Sequence, residues 1–200
     1  MESPALLAFG ALYFAGPHRL EAAPLVLAGL WALHYTQRVV LFPIRMRPDG
    51  KKMPLAIVGS AIAFNLLNAS VNAPQLSAFG GYDSTWLRDP RFLIGALLFL
   101  TGFTINVRAD NVLFALRKPG ETGYRVPYGA LHDFVANPNY FGELIEWIGW
   151  AILTWSLAGA SFALYTAANL VPRALSNRKW MREKLPDYPP ERRAIIPYVL

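Results

Sequence analysis

Long apolar blocks are the feature that most constrains this chain. A membrane-spanning helix needs about 20 mainly apolar residues, and several stretches of the 200-residue sequence approach that length. Helices of soluble proteins carry a polar face at a period of 3.6 residues, which these stretches mostly lack. The sequence therefore predicts an all-α integral membrane protein, a multi-span helix bundle formed by a single domain over residues 1–200. Six spans are expected, at Pro4–Ala15, Ala23–Ile44, Pro54–Val71, Phe92–Leu116, Tyr140–Leu157 and Ala158–Val171.

The basic residues follow this topology and do not suggest nucleic-acid binding. The net charge is +6, but if the six helices alternate, only Arg19, Arg88 and Arg91 fall in the loops of one side. Basic loops lie in the cytoplasm, where they also favour anionic lipid. We therefore expect a multi-pass protein of the bacterial inner membrane, or of the endoplasmic reticulum in a eukaryote, with a cytoplasmic C-terminus, a lipid bilayer around it and no obligate protein partner. The cations of the predicted cytoplasmic side are Arg45, Arg47, Lys51, Lys52, Arg117, Lys118, Arg125, Arg173, Arg178, Lys179, Arg182, Lys184, Arg192 and Arg193.

Several kinds of chemistry are excluded or disfavoured by residues that the sequence lacks. Without cysteine there is no disulfide, thiol nucleophile or cysteine-based metal site. Only His18, His34 and His132 are present, with no HExxH pair, so no metal site is predicted. The phosphate-binding patterns GxGxxG and GxxxxGK[ST] and the nucleophile elbow GxSxG are also missing.

The stretch NPNYFGELIEW, residues 137–147, brings polar residues into the start of an apolar helix. Asn139 and Glu143 are four residues apart and share a helical face, and Glu146 lies within one turn of Glu143. Capping of the helix accounts for Asn137 and Pro138. It does not account for two carboxylates at the mouth of an apolar segment, which indicate a functional site.

A cluster of polar residues is predicted at the cytoplasmic side of the bundle. Asn106 and Asp110 share a face of the fourth helix, and Arg117, Tyr124 and Arg125 follow in a basic loop. That loop either holds phosphates, which arginine binds bidentately, or simply supplies topology charge. The residues alone indicate a membrane enzyme with a large anionic cofactor. The cluster consists of Asn106, Asp110, Arg117, Tyr124, Arg125, Asn139, Glu143 and Arg173.

Polar residues near the start of the chain leave their roles open. His34, Tyr35 and Arg38 lie within the second helix, and such groups should face the bundle interior. Tyr35 is either an aromatic residue of the membrane interface or, beside Arg38, a group that polarises a carbonyl. From local sequence, Glu2 is an ordinary exposed N-terminal acid. A stripe of Asn65, Asn68 and Asn72 favours hydrogen bonding between helices over the lining of a pocket.

Three stretches identify a resemblance: RKPGETGYRVPYGALHDFVANPNYFGELIEWIGWAILTWSL, NLVPRA and DYPPERRAIIP. In order and spacing they closely resemble the steroid 5α-reductase family (3-oxo-5α-steroid 4-dehydrogenase), and we interpret the chain as a bacterial homologue. The resemblance implies a family fold of seven transmembrane helices, NADPH as cofactor and an apolar, steroid-like substrate. It also implies reduction of the Δ4 double bond of 3-oxo steroids, with hydride to C5 and a proton to C4.

The resemblance also implies roles for individual residues. Glu2 and Tyr35 match the catalytic glutamate and tyrosine, which bind the 3-oxo group, polarise the enone and stabilise the developing enolate. Glu2 would have to be protonated to donate, which overturns its interpretation as an ordinary exposed acid. The arginines would meet the phosphates, Asn139 and Glu143 the nicotinamide or ribose, and Trp147 would lie beside the cofactor. The implied NADPH-binding residues are Asn106, Asp110, Arg117, Tyr124, Arg125, Asn139, Glu143, Trp147 and Arg173.

Two departures and three alternatives accompany this resemblance. First, the family usually has a further helix before the glutamate motif, so we expect that the sequence is shortened or that Met1 is internal to a longer chain. Second, Asn177 and Met181 stand where the family often has a histidine and a tyrosine. One alternative is a related reductase of another enone, an enoyl thioester or a polyprenol. Another is a membrane methyltransferase that uses S-adenosylmethionine, against which RKPGE and the Glu2–Tyr35 pair argue. A non-enzymatic scaffold would leave the intramembrane polar residues unexplained.

Overall fold

Six helices make up most of the chain in the computed structural model, which describes residues 2–46, 53–116 and 123–200. These residues contain no β-strand, which confirms the all-α fold class. Three helices, α2, α3 and α4, are long and apolar enough to cross a membrane. The helices are α1 (Ser3–Phe14), α2 (Ala22–Arg45), α3 (Leu55–Phe79), α4 (Pro90–Ala115), α5 (Pro138–Thr154) and α6 (Leu157–Lys184).

Two helices are longer than the sequence predicts. The third reaches Phe79 instead of Val71, and the sixth reaches Lys184 instead of Val171. Pro172 was expected to end the sixth helix, but it lies inside α6, because a proline removes only one hydrogen bond when the flanking turns hold the helix. Arg173 therefore belongs to a helix and not to an irregular tail.

Two prolines coincide with wide turns in the membrane-length helices. In α2 a π-helical turn, Gln37–Leu41, precedes Pro43, and the Phe42 amide donates to the Gln37 carbonyl. In α3 a similar turn, Gln75–Phe79, follows Pro74. Proline has no amide hydrogen, and a π turn re-aims the side chains around it, often at functional sites. The turn in α2 contains Arg38.

The chain divides into two compact units, here called unit 1 and unit 2. Unit 1 comprises the described residues within 1–93 together with Ile152–Gly159. Unit 2 comprises the described residues within 94–151 and 160–200. That all 200 residues form one domain stays a prediction.

Unit 1 is built on α1, which packs along α3. Its buried centre is aromatic: the Phe9 and Trp31 rings stack with centroids 4.5 Å apart. The loop after α3 is also held in place, because the Tyr82 hydroxyl donates to the Thr154 carbonyl at 2.6 Å and the Trp86 indole to the Leu153 carbonyl at 3.0 Å. These carbonyls lie in the last turn of α5, where no amide of the same helix can reach them.

Unit 2 is built on close contact between α4 and α5. A Cβ added to Gly102 would collide with the backbone of Gly142 and Glu146, and one added to Gly149 would collide with that of Phe99. Helices in membranes associate through such small residues, since they let the backbones approach. This contact brings the start of α5 against the polar part of α4.

Candidate active site

Glu2 stands at the start of α1, but its side chain does not cap that helix. Instead both carboxylate oxygens accept hydrogen bonds from Arg38 of α2, one from Nε and one from Nη2, each at 3.3 Å. The two side chains are 20% and 36% exposed, Arg38 being the more buried. Charge-assisted bonds usually measure about 2.7–2.9 Å, so this pair is loose.

Tyr35 lies on α2, one turn before Arg38, and is only 3% exposed. Its ring packs against Trp31, with centroids 4.8 Å apart, and edge-on against His34 at 5.0 Å. The residue is therefore part of the packed interior of unit 1 and not an exposed interfacial aromatic. Arg38, which binds Glu2, follows Tyr35 by three residues on the same helix.

A hydrogen-bonded chain joins α4 to α5 in unit 2. Asn106 donates from Nδ2 to the Asn139 carbonyl at 3.0 Å, and Asn139 donates from Nδ2 to Oδ1 of Asp110 at 3.1 Å. Asn106 and Asp110 are 2% and 3% exposed. Their spacing of four residues puts both on the α4 face that meets the start of α5, where the half-buried Asn139 joins them. Three of the predicted cofactor residues thus form one largely buried network.

The remaining predicted residues of α5 lie further along the same helix. Glu143 is half-buried one turn after Asn139, and Glu146, which the predicted site does not include, is fully buried. Trp147 is also buried, with its ring 4.1 Å from that of Phe162. Trp147 is thus a packing residue of unit 2, and its place beside a cofactor stays a prediction.

The predicted phosphate-binding residues are more exposed. Arg125 and Arg173 present their side chains at the surface, and Tyr124, 50% exposed, packs edge-on against Trp180 of α6 at 4.6 Å. Arg117 lies outside the described residues. Exposed guanidinium groups suit an anion that arrives from solution, because they need no desolvation until it binds.

Asn137 connects the start of α5 to α6 and to the C-terminal segment. Its Nδ2 donates to the carbonyls of Ala174 and Ala194, at 3.3 and 3.0 Å, and its Oδ1 accepts from Asn177 at 2.9 Å. Asn137 is thus more than a helix cap. Asn177, which stands together with Met181 where the family commonly has a histidine and a tyrosine, takes part in this anchoring, which fixes the backbone just before Pro138 and Asn139.

Arg192 was missed by sequence reasoning, which counted it among the topology charges. It is only 2% exposed, donates from Nη1 to the Pro127 carbonyl at 2.7 Å, and lies over the Tyr128 ring at 4.5 Å and the Tyr188 ring at 5.6 Å. The next residue, Arg193, forms an isolated bridge with Val135. The tail is therefore docked on the segment that leads into α5. The sequence signal was the place of Arg192 in the stretch DYPPERRAIIP, which is one of the three that carry the resemblance.

Two titratable side chains beside Arg192 are perturbed by burial. Desolvation lowers the pKa of His132 below its usual range, aided by the positive charge of Arg192, while the bond between Nε2 and the Ala109 carbonyl at 3.2 Å opposes the shift. Desolvation raises the pKa of the Tyr188 phenol. Both groups thus stay neutral near pH 7.

Comparisons with known proteins identify the family. The family described as 3-oxo-5-alpha-steroid 4-dehydrogenase matches residues 51–200. A steroid 5-alpha-reductase of Gossypium hirsutum is 42% identical over 204 residues, covering 100% of this chain and 79% of the relative. The chain belongs to the steroid 5-alpha-reductase family. The 3-oxo-5-alpha-steroid 4-dehydrogenase 1 of Rattus norvegicus is 44% identical over 175 residues, which cover 88% of this chain and 67% of the relative. The enzyme of the same name from Homo sapiens is 43% identical over 182 residues, which cover 90% of this chain and 70% of the relative.

Membership in the steroid 5-alpha-reductase family confirms the class of reaction. The chain is an oxidoreductase acting on CH–CH groups, and its long apolar helices fit a membrane-bound enzyme. These relatives are plant and animal proteins, so they do not support a bacterial origin. The roles of the individual site residues stay predictions.

Proposed function

We propose that the protein uses NADPH to reduce the Δ4 double bond of a 3-oxo-Δ4 steroid to the 5α product. The observation that carries this proposal is the buried network of Asn106, Asn139 and Asp110 in a chain that belongs to a family of CH–CH oxidoreductases. Such a reaction needs a two-electron donor, and a donor with amide and hydroxyl groups matches the amides and the carboxylate of this network.

The donor set of unit 2 fits NADPH in its chemistry. Asn106, Asp110, Asn139 and Glu143 would hold the nicotinamide and ribose, and the exposed Arg125 and Arg173, together with Tyr124, would hold the phosphates. Arg117 joins them as an expectation from the sequence alone. Hydride delivery to C5 of the enone is the chemistry that bound NADPH supplies.

Glu2 and Tyr35 of unit 1 act on the substrate in this proposal. Hydrogen bonds from both side chains to the 3-oxo group polarise the enone and stabilise the enolate before C4 is protonated. Glu2 donates only if one oxygen carries a proton and turns away from Arg38. The 3.3 Å contacts are long enough to be given up for a shorter bond to the substrate.

The decisive experiment incubates detergent-purified protein with NADPH and a 3-oxo-Δ4 steroid and analyses the product by mass spectrometry. A gain of two hydrogens with 5α stereochemistry supports the proposal. Binding of NADPH without turnover would assign the protein to another enone or to a polyprenol. Absence of both binding and turnover would reject the proposed cofactor and substrate together.

We further propose that the C-terminal tail lies on the cytoplasmic side of the membrane, because the loops and segments rich in Lys and Arg alternate with nearly uncharged ones. The chain has no cysteine, so one cysteine placed at the exposed Val199 reports the side directly. An impermeant maleimide should label it in inside-out vesicles and not in right-side-out ones.

A further inference from the structure

The buried face of α3 carries three asparagines, Asn65, Asn68 and Asn72, which are 6%, 6% and 2% exposed. Asn72 donates from Nδ2 to Oδ1 of Asn68 at 2.9 Å and to the Asn68 carbonyl at 3.2 Å. The oxygen of the Asn68 amide is therefore satisfied. In the part of the chain that the structure describes, the Nδ2 of Asn68 is buried and has no hydrogen-bond partner.

The orientation of the two amides is fixed by the backbone. The Asn68 carbonyl can only accept, so the Asn72 group that faces it must be the NH₂ and not the oxygen. The same NH₂ also meets the Asn68 side chain, which must then present its oxygen. Rotating the Asn68 amide would set donor against donor, so its NH₂ faces away from Asn72. A buried donor without an acceptor is costly, above all within a membrane-length helix.

The position of Asn68 relative to Glu2 follows from the packing of α1 on α3. The His18 amide donates to the Ser77 carbonyl at 2.8 Å, and a Cβ on Gly16 would collide with Ser77. Because the helices pack along each other and meet at their carboxyl ends, they run parallel. Residues are counted back along each helix from the contact of Gly16 with Ser77, at about 1.5 Å per residue. On this count Asn68 lies roughly 8 Å closer to the carboxyl ends than Glu2.

We propose that the Asn68 amide donates a hydrogen bond to a second oxygen of the substrate, a carbonyl or hydroxyl oxygen remote from the 3-oxo group. An offset of roughly 8 Å along the helix axis allows Glu2 and Asn68 to meet different oxygens of one ligand. Asn68 is thereby a specificity-determining residue of unit 1. This inference rests on the proposed function, because it takes the apolar steroid as the ligand of unit 1.

The test compares two 3-oxo-Δ4 steroids that differ only in an oxygen on the ring farthest from the enone. For each, kcat/KM with NADPH and the equilibrium Kd are measured on the unaltered protein and on Asn68→Leu. The leucine keeps the branched shape of the side chain but removes the donor, together with the oxygen that accepts from Asn72. The oxygenated steroid should lose about tenfold in kcat/KM and in affinity, and the deoxygenated steroid should change little. Ser70→Ala is the matched control on α3, since Ser70 is exposed and bonds only its own helix, to the Leu67 carbonyl at 2.8 Å.

Equal losses for both steroids in Asn68→Leu would show a purely structural role and overturn the inference. Asn68→Ala repeats the comparison if the leucine variant does not fold, as judged by its melting temperature in detergent. A ratio of Kd values near one for the two steroids on the unaltered protein overturns the inference without any variant.

The Kd comparison also separates this inference from the proposed function. If the unaltered protein binds the steroids but reduces neither, the proposed reaction fails while the Kd ratio still decides on Asn68. If it binds neither steroid, both proposals fail.

Discussion

Units 1 and 2 use polar side chains in different ways. In unit 1 the hydrogen bonds described above are a loose Glu2–Arg38 pair at the start of α1 and a bond within the short asparagine stripe on α3. In unit 2 they form a connected network, with Asn106, Asn139 and Asp110 joined between two helices. An apolar ligand needs only a few directional contacts at its oxygens, whereas a large anionic cofactor needs a continuous polar lining. The contrast agrees with the proposed substrate role of unit 1 and the proposed cofactor role of unit 2.

Variants of Glu2 and Tyr35 are expected to have the largest effect on turnover. In the proposed function both side chains stabilise the developing enolate. Tyr35→Phe removes one donor and Glu2→Gln replaces the other by a much weaker acid, so kcat should fall by about a hundredfold. The affinity for NADPH should stay nearly constant, because both residues belong to unit 1. Steady-state kinetics and NADPH titration measure the two effects separately.

Tyr13→Phe is the matched control for these substitutions. Tyr13 is a buried tyrosine of the same unit, and its hydroxyl donates to the Arg19 carbonyl at 2.8 Å. Its loss should affect stability and leave kcat largely intact. Near-normal turnover in both Glu2→Gln and Tyr35→Phe would remove their assigned role.

Asn139→Ala should produce the opposite result in unit 2. The substitution removes the hydrogen bond to Asp110 and, in the proposed function, a direct contact to the cofactor, so the Kd for NADPH should rise about tenfold, the effect of one or two lost polar contacts. The kcat at saturating NADPH should change less. Asn169→Ala is the control, because Asn169 is half-buried on α6 and its side chain donates to the Tyr165 carbonyl of its own helix. It should leave the affinity unchanged, and equal Kd values for the two variants would contradict the cofactor role.

Arg192→Lys should weaken unit 2 without touching the proposed chemistry. A lysine cannot reproduce the planar stacking over the Tyr128 ring together with the bond to the Pro127 carbonyl. The expected loss is about 1–2 kcal/mol, or a drop of several degrees in melting temperature. Arg193→Lys, at the adjacent exposed residue, should have little effect, and equal melting temperatures of the two variants would contradict the account of the docked tail.

The sequence predicts those features that depend on local spacing. Asn106 and Asp110, four residues apart in one apolar run, share a face in the structure, and Asn139 meets them as a member of the same predicted cluster. Contacts between distant residues leave no such pattern. The Glu2–Arg38 pair joins residues 36 positions apart, and Arg192 is recognisable as a core residue only once the chain has folded back over Pro127, because most tail arginines are solvated.

The smallest expected effect is a pH dependence of stability at His132. Because burial lowers its pKa in the folded protein below the unfolded value of about 6.5, the unfolded chain takes up the proton first as pH falls. The contribution of neutral His132 to the stability of the folded protein is therefore fully present above about pH 6.5. It is lost as the pH falls from there towards the pKa of His132 in the folded protein. One proton limits the slope to about 1.4 kcal/mol per pH unit.

Melting temperatures measured between pH 7.5 and 5.5 on the unaltered protein and on His132→Gln test this expectation. The glutamine keeps a buried amide near the Ala109 carbonyl and cannot titrate. The unaltered protein should lose more stability on acidification than the variant. Parallel curves would mean that His132 does not titrate differently in the two states. A steeper curve in the variant would contradict the sign of the shift, since only a folded-state pKa above the unfolded one stabilises the protein as the pH falls.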